Sequence, residues 1–281
     1  MENEFDLVGP MITAVSAALK AGRAIIEIYN TDFEVETKSD ESPLTLADRQ
    51  SHEIIKSMLM DYRLPMISEE GRDIPFQQRQ SWERLWIVDP LDGTKEFVKR
   101  NGEFTVNIAL IENGKPVLGV VFAPIPRSLY FASRNLGSYK IDCPSETWLD
   151  IFTKRAPEKV LDILLSSARR LPFNKNNPSR YTIVGSRSHA SSELVEFVER
   201  MKQEKGQVDF IQAGSSLKIC LVAEGGADIY PRLGPTMEWD TAAGHAVALF
   251  AGAKIFDFKT NEELGYNKPN LLNPWFIVER T

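Results

Sequence analysis

Cysteine is scarce in this 281-residue chain: Cys143 and Cys220 are its only two, which excludes a disulfide framework. Histidine is nearly as scarce, and His52, His189 and His245 lack the spacing of a zinc site. No apolar run approaches the roughly 20 residues needed to span a bilayer, so no integral membrane segment is expected. Internal repeats and low-complexity tracts are missing. So is any Lys/Arg block. With 33 Lys+Arg against 39 Asp+Glu, a net charge of -6 makes electrostatic binding to nucleic acid a poor expectation. Residues 1–10 carry neither the basic nor the apolar part of a secretory signal. The expectation is a cytoplasmic protein, with peripheral contact at the inner face of the cell membrane left open.

What the chain does have is core-forming side chains, 43% hydrophobic and 10% aromatic. Met11, Ile12, Val15, Ala18, Leu19, Ile25 and Ile26 fall on one helical stripe after Pro10. A second helix is expected from Thr45, where Thr45 and Asp48 have capping-box spacing. From Leu85 the period changes to short apolar runs, with Asn113-Gly114 reading as a tight hairpin turn. Residues 1–142 therefore read as an α+β half, 143–180 as an irregular, insertion-like connection, and 181–281 as an α/β half of alternating strands and helices. One of those late helices is expected over 241–250, stopped by Gly252.

Three acidic elements carry the chemistry. In Asp89-Pro90-Leu91-Asp92-Gly93-Thr94, two carboxylates, a carbonyl and a hydroxyl could converge on a hard cation such as magnesium. The same residues are also common turn formers. Glu69-Glu70 follows an apolar step and reads as a solvated surface pair or as a cation site. Asp240 precedes a small-residue helix, where it reads as an N-cap or as a further ligand.

Taken together, Glu69-Glu70, the DPLDGT run and Trp239-Asp240 with its Ala-Ala-Gly helix resemble the inositol monophosphatase superfamily of magnesium-dependent, lithium-sensitive phosphatases. Lys99-Arg100-Asn101-Gly102-Glu103-Phe104-Thr105, Ser186-Arg187-Ser188-His189, Gly214-Ser215-Ser216-Leu217-Lys218 and Tyr230-Pro231-Arg232 are similar to its CysQ-type 3'(2'),5'-bisphosphate nucleotidase branch.

The resemblance implies a layered αβαβα sandwich and hydrolysis of 3'-phosphoadenosine 5'-phosphate (PAP), linked to sulfur assimilation, with two or three magnesium ions. It implies metal ligands Glu69, Asp89, Leu91, Asp92 and Asp240, and catalytic roles for Glu69, Thr94 and Asp40, the last as partner of Thr94. Substrate contacts are expected from Glu69, Leu91, Asp92, Gly93, Thr94, His189, Ser215, Ser216, Lys218, Arg232 and Asp240. The chain is expected as a monomer or homodimer. The competing expectations are an inositol monophosphatase or fructose 1,6-bisphosphatase, or a noncatalytic nucleotide-binding protein.

Overall fold

The computed structural model describes residues 5–31, 35–37, 43–145, 147–174, 180–186 and 192–280. The chain runs through α1 (Val8–Tyr29), the short pair β1 (Val35–Thr37) and β2 (Pro43–Thr45), α2 (Leu46–Leu59), β3 (Met66–Ser68), α3 (Phe76–Arg79), β4 (Arg84–Asp92) and α4 (Thr94–Val98). Strands β5 (Thr105–Glu112), β6 (Lys115–Ala123), β7 (Ser128–Ser133) and β8 (Gly137–Asp142) follow, then α5 (Trp148–Lys154), α6 (Pro157–Ser166) and β9 (Arg169–Arg170). The remainder is β10 (Tyr181–Ser186), α7 (Ser192–Lys205), β11 (Val208–Ala213), α8 (Leu217–Glu224), β12 (Ile229–Arg232), α9 (Glu238–Leu249), β13 (Ala253–Asp257) and β14 (Phe276–Arg280).

Two mixed sheets are stacked between helices. The larger has seven strands in the order β3-β4-β5-β6-β7-β8-β9, antiparallel except for the β3–β4 edge. The smaller has five, in the order β11-β10-β12-β14-β13. Both faces of β4 are buried, so its sequence is a continuous apolar run. Trp86 and Val88 face α1, α2 and α6. Leu85 and Ile87 face the middle layer of α8 and α9 and, beyond it, Phe276 and Val278 of the smaller sheet. Phe197 and Met201 of α7 cover the last face, against Ile183, Ile229 and Ile277. This is the expected αβαβα sandwich, and the Asn113-Gly114 hairpin joins β5 to β6 with both residues at positive φ.

The middle layer is thin because its contact residues are small. Ala242, Ala243 and Ala246 of α9 are fully or almost fully buried. A Cβ at Gly119 of β6 would overlap the Ala243 carbonyl oxygen, so glycine permits the close approach. That seating brings the first turn of α9 beside the end of β4.

Three expectations needed correction. Helix α1 starts at Val8, ahead of Pro10, because a first-turn proline forfeits only an N–H that has no helical partner. Residues 143–180 hold two helices, with Pro157 opening α6 and Val160 and Leu164 anchoring it in the core. Helix α9 begins at Glu238, so Asp240 lies inside the first turn and Met237 is the N-cap. Among the described residues no helix is long and apolar enough to cross a membrane.

Candidate active site

Strand β4 is buried from Leu85 to Leu91, with Asp89 at 0% exposure in its middle. Its register with β5 then shifts between Asp89 and Asp92, a bulge built on Pro90 and Leu91. Pro90 cannot donate to the ladder, and the Leu91 N–H is spent on Asp89 Oδ1 at 3.1 Å. Gly93, at φ 93°, turns the chain into α4. Asp89 and Asp92 thereby meet Asp240 of α9, and each of the three offers an oxygen within 4.8 Å of the others. Asp240 Oδ2 also accepts the Met237 N–H at 2.8 Å, which fixes its rotamer against the helix start.

Asp92 is held from behind. Its Oδ2 accepts from Ser216 N at 2.7 Å and from the Ser215 and Ser216 hydroxyls at 2.8 Å each. Asn107 Nδ2 stands further off at 3.4 Å. The two serines expected against substrate are thus turned onto a carboxylate, and the Ser216 side chain, its residue 2% exposed, also carries a 3.0 Å contact to the Asp240 carbonyl. Ser215 sits at φ 52°, a left-handed turn that lets its hydroxyl and the next residue's amide reach the same oxygen. Lys218, expected to face substrate, is buried and donates to the Ser215 carbonyl at 2.6 Å. Burial pushes its ammonium down to about 8, against the opposing pull of Asp92.

Asp89, Asp92 and Asp240 line a cleft of about 640 Å³, together with Asp48, Glu69, Thr94 and Arg232 among others, while Ser215, Ser216 and Lys218 line a smaller cavity of about 160 Å³ that shares Asp92 and Asp240. Glu69 follows the edge strand β3, with its N–H on the Val88 carbonyl at 3.3 Å. Thr94 Oγ1 lies 3.4 Å from the Leu91 carbonyl. Arg232 donates from Nη2 to the Pro235 carbonyl at 2.9 Å, while its buried Nε–H has no partner among the described residues. Two predicted residues, Asp40 and His189, lie outside the described residues.

Sequence reasoning missed Asp48 as a site residue. It is 2% exposed and lines the cleft. The signal was its place on the buried stripe of α2, with Ser51, His52, Ile55 and Leu59. An acid on the buried face of a helix calls for a partner or a ligand.

The electrostatics are strained without a cation. Burial raises Asp89 well above the usual carboxylate range, and Glu69, Asp92, Asp240 and Asp48 push the same way. Burial and Asp92 likewise raise Asp240. Asp89 Oδ2 is buried with no hydrogen-bond partner among the described residues. An oxygen-only donor set with an orphaned carboxylate oxygen at its centre fits a hard divalent cation.

The family model for the inositol monophosphatase family matches residues 9–278. The 3'(2'),5'-bisphosphate nucleotidase CysQ of Salmonella typhimurium is 43% identical over 267 residues, covering 93% of this chain and 96% of the relative. The protein of the same name from Escherichia coli K12 gives the same identity and coverage. The crystal structure of CysQ from Bacteroides thetaiotaomicron, a bacterial member of that family, superimposes with a TM-score of 0.86 at 45% identity, covering 97% of both chains. A Thermotoga maritima inositol monophosphatase, at TM-score 0.69 and 22% identity, shares the fold. Fold and site define a metal-dependent phosphatase. The chain belongs to the inositol monophosphatase family.

Proposed function

We propose that this enzyme hydrolyses the 3'-phosphate of PAP, giving AMP and inorganic phosphate, and that it serves sulfur assimilation. The observation that carries the reading is the convergence of Asp89, Asp92 and Asp240 in a cleft that also holds an arginine with an unsatisfied N–H. The bisphosphate nucleotidases matched over nearly the whole chain support this choice of substrate.

Glu69, Asp89, Asp92, Asp240 and the Leu91 carbonyl would hold magnesium, two or three ions in all. When bound, such ions neutralise the scissile phosphate, lower the pKa of a coordinated water and stabilise the leaving oxygen. The protein's own part is to place the other reactants. Thr94 Oγ1 orients the attacking water, and Asp40, the acid that the resemblance pairs with it, takes its proton; Asp48 lines the same cleft. Ser215, Ser216 and Asn107 fix the Asp92 carboxylate. Arg232 receives the phosphate that is not cleaved, its guanidinium suited to bidentate contact.

Arg232→Ala should therefore raise KM for PAP by about tenfold or more, the loss of one charge-assisted contact, and leave a phosphomonoester lacking a second phosphate far less affected. Steady-state kinetics on the two substrates checks it. Equal effects on both would remove Arg232 from substrate recognition.

A further inference from the structure

The carboxylates of the site stand on separate pieces of chain. Asp89 and Asp92 belong to β4, whereas Glu69 directly follows the edge strand β3 and Asp240 rides on the first turn of α9. Ile67 and Trp239, near Glu69 and Asp240 in sequence, pack on the same apolar cluster. Behind Glu69 lies a further cavity of about 250 Å³, bounded by Ile67, Arg79, Trp239 and Leu271. Side chains do not fill the space between those walls, so polar contacts add to what fixes their separation.

Polar contacts span that gap. Arg79, 3% exposed, donates from Nε to the Ile74 carbonyl at 3.1 Å, on the segment that leads away from Glu69. Its Nη1 donates to Asn267 Oδ1 at 2.9 Å and to the Lys268 carbonyl at 2.6 Å, and its Nη2 to the Pro269 carbonyl at 3.0 Å. Asn267 returns a bond from Nδ2 to the Arg79 carbonyl at 2.8 Å. The same short segment is bonded to α9. Glu238, 0% exposed and two residues before Asp240, accepts from Asn267 N at 2.6 Å, Lys268 N at 3.0 Å and Lys268 Nζ at 2.6 Å. Asn273 Nδ2 adds bonds to the Met237 carbonyl at 2.7 Å and Thr241 Oγ1 at 3.1 Å.

A buried ion pair is a poor device for stability alone, since apolar replacements of similar volume do as well. It is a good device for fixing geometry, because a fully satisfied guanidinium or carboxylate tolerates little displacement. We infer that Arg79 and the Glu238–Lys268 pair, joined through Asn267, form a brace that sets the separation of Glu69 and Asp240 and so tunes the affinity of the acidic cleft for divalent cations. These are positioning residues and touch neither substrate nor cation. The inference rests on the reading of that cleft as a metal site.

The test is calorimetric titration of the folded full-length protein with magnesium, for wild type, Arg79→Lys, Lys268→Met and Lys268→Arg, beside KM for PAP at saturating magnesium. Arg79→Lys and Lys268→Met should weaken magnesium binding by about tenfold or more, as loss of groups that orient metal ligands does elsewhere. Lys268→Arg keeps a cation on Glu238 and should restore wild-type affinity, while KM at saturating magnesium stays put in all three. Folded variants with wild-type magnesium affinity would overturn the brace and leave the metal site standing. A wild-type protein that binds no magnesium would overturn both. Should Arg79→Lys not fold, Lys268→Met decides alone, because the Lys268 side chain is 28% exposed and sits at the surface end of the brace.

Discussion

Asp89→Asn is expected to abolish magnesium-dependent turnover while making the metal-free protein more stable. Activity should fall by about a thousandfold or more, since the variant loses a proposed metal ligand at the centre of the acidic cluster. Stability should move the other way. In the metal-free protein the Asp89 carboxylate is fully buried, lacks a partner on Oδ2 and is crowded by Glu69, Asp92, Asp240 and Asp48. An asparagine keeps the acceptor for the Leu91 N–H and relieves the repulsion. The melting temperature without metal should rise by about 2–4 °C for each kcal/mol relieved in a chain of this size. Wild type should gain stability on adding magnesium, and the variant should gain much less. A metal-free variant that melts below wild type would show that the acidic cluster is not under strain.

The second large effect separates proton transfer from metal binding. Thr94→Ala and Asp40→Asn should each lower kcat by about 10²–10⁴, the usual worth of a positioned general base and its partner. Magnesium affinity should hold, because neither residue belongs to the proposed ligand set. Asp48→Asn should lower kcat less. The reverse result, with Asp48 essential and Asp40 dispensable, would move the base to the acid seen lining the cleft.

That pair of acids shows where sequence reading reaches and where it stops. Asp89, Leu91, Asp92 and Thr94 were legible as candidates because they lie within six residues of one strand-to-helix turn, so local spacing carries the geometry. The two halves were legible from the change of period at Leu85, and the layered sandwich from the family resemblance that the motif order carries. Asp48 was not, because its role depends on α2 packing against β4, where Ser51 Oγ donates to the Pro90 carbonyl at 2.6 Å. From sequence alone, Thr45 and Asp48 have the spacing of a helix cap. Ser215 and Ser216 were recognised as site residues, but nothing local says that a left-handed turn aims both hydroxyls at Asp92. The Arg79–Asn267–Glu238 brace was invisible for the same reason. Its members are scattered along the chain, and a buried arginine or glutamate looks like a surface residue until its partners arrive.

The central claim is tested most directly by phosphate release from PAP, with and without magnesium, beside inositol 1-phosphate. The account predicts release from PAP that requires magnesium and exceeds release from inositol 1-phosphate. Release from inositol 1-phosphate alone would overturn the substrate, and no release from either by folded protein would contradict the account as a whole.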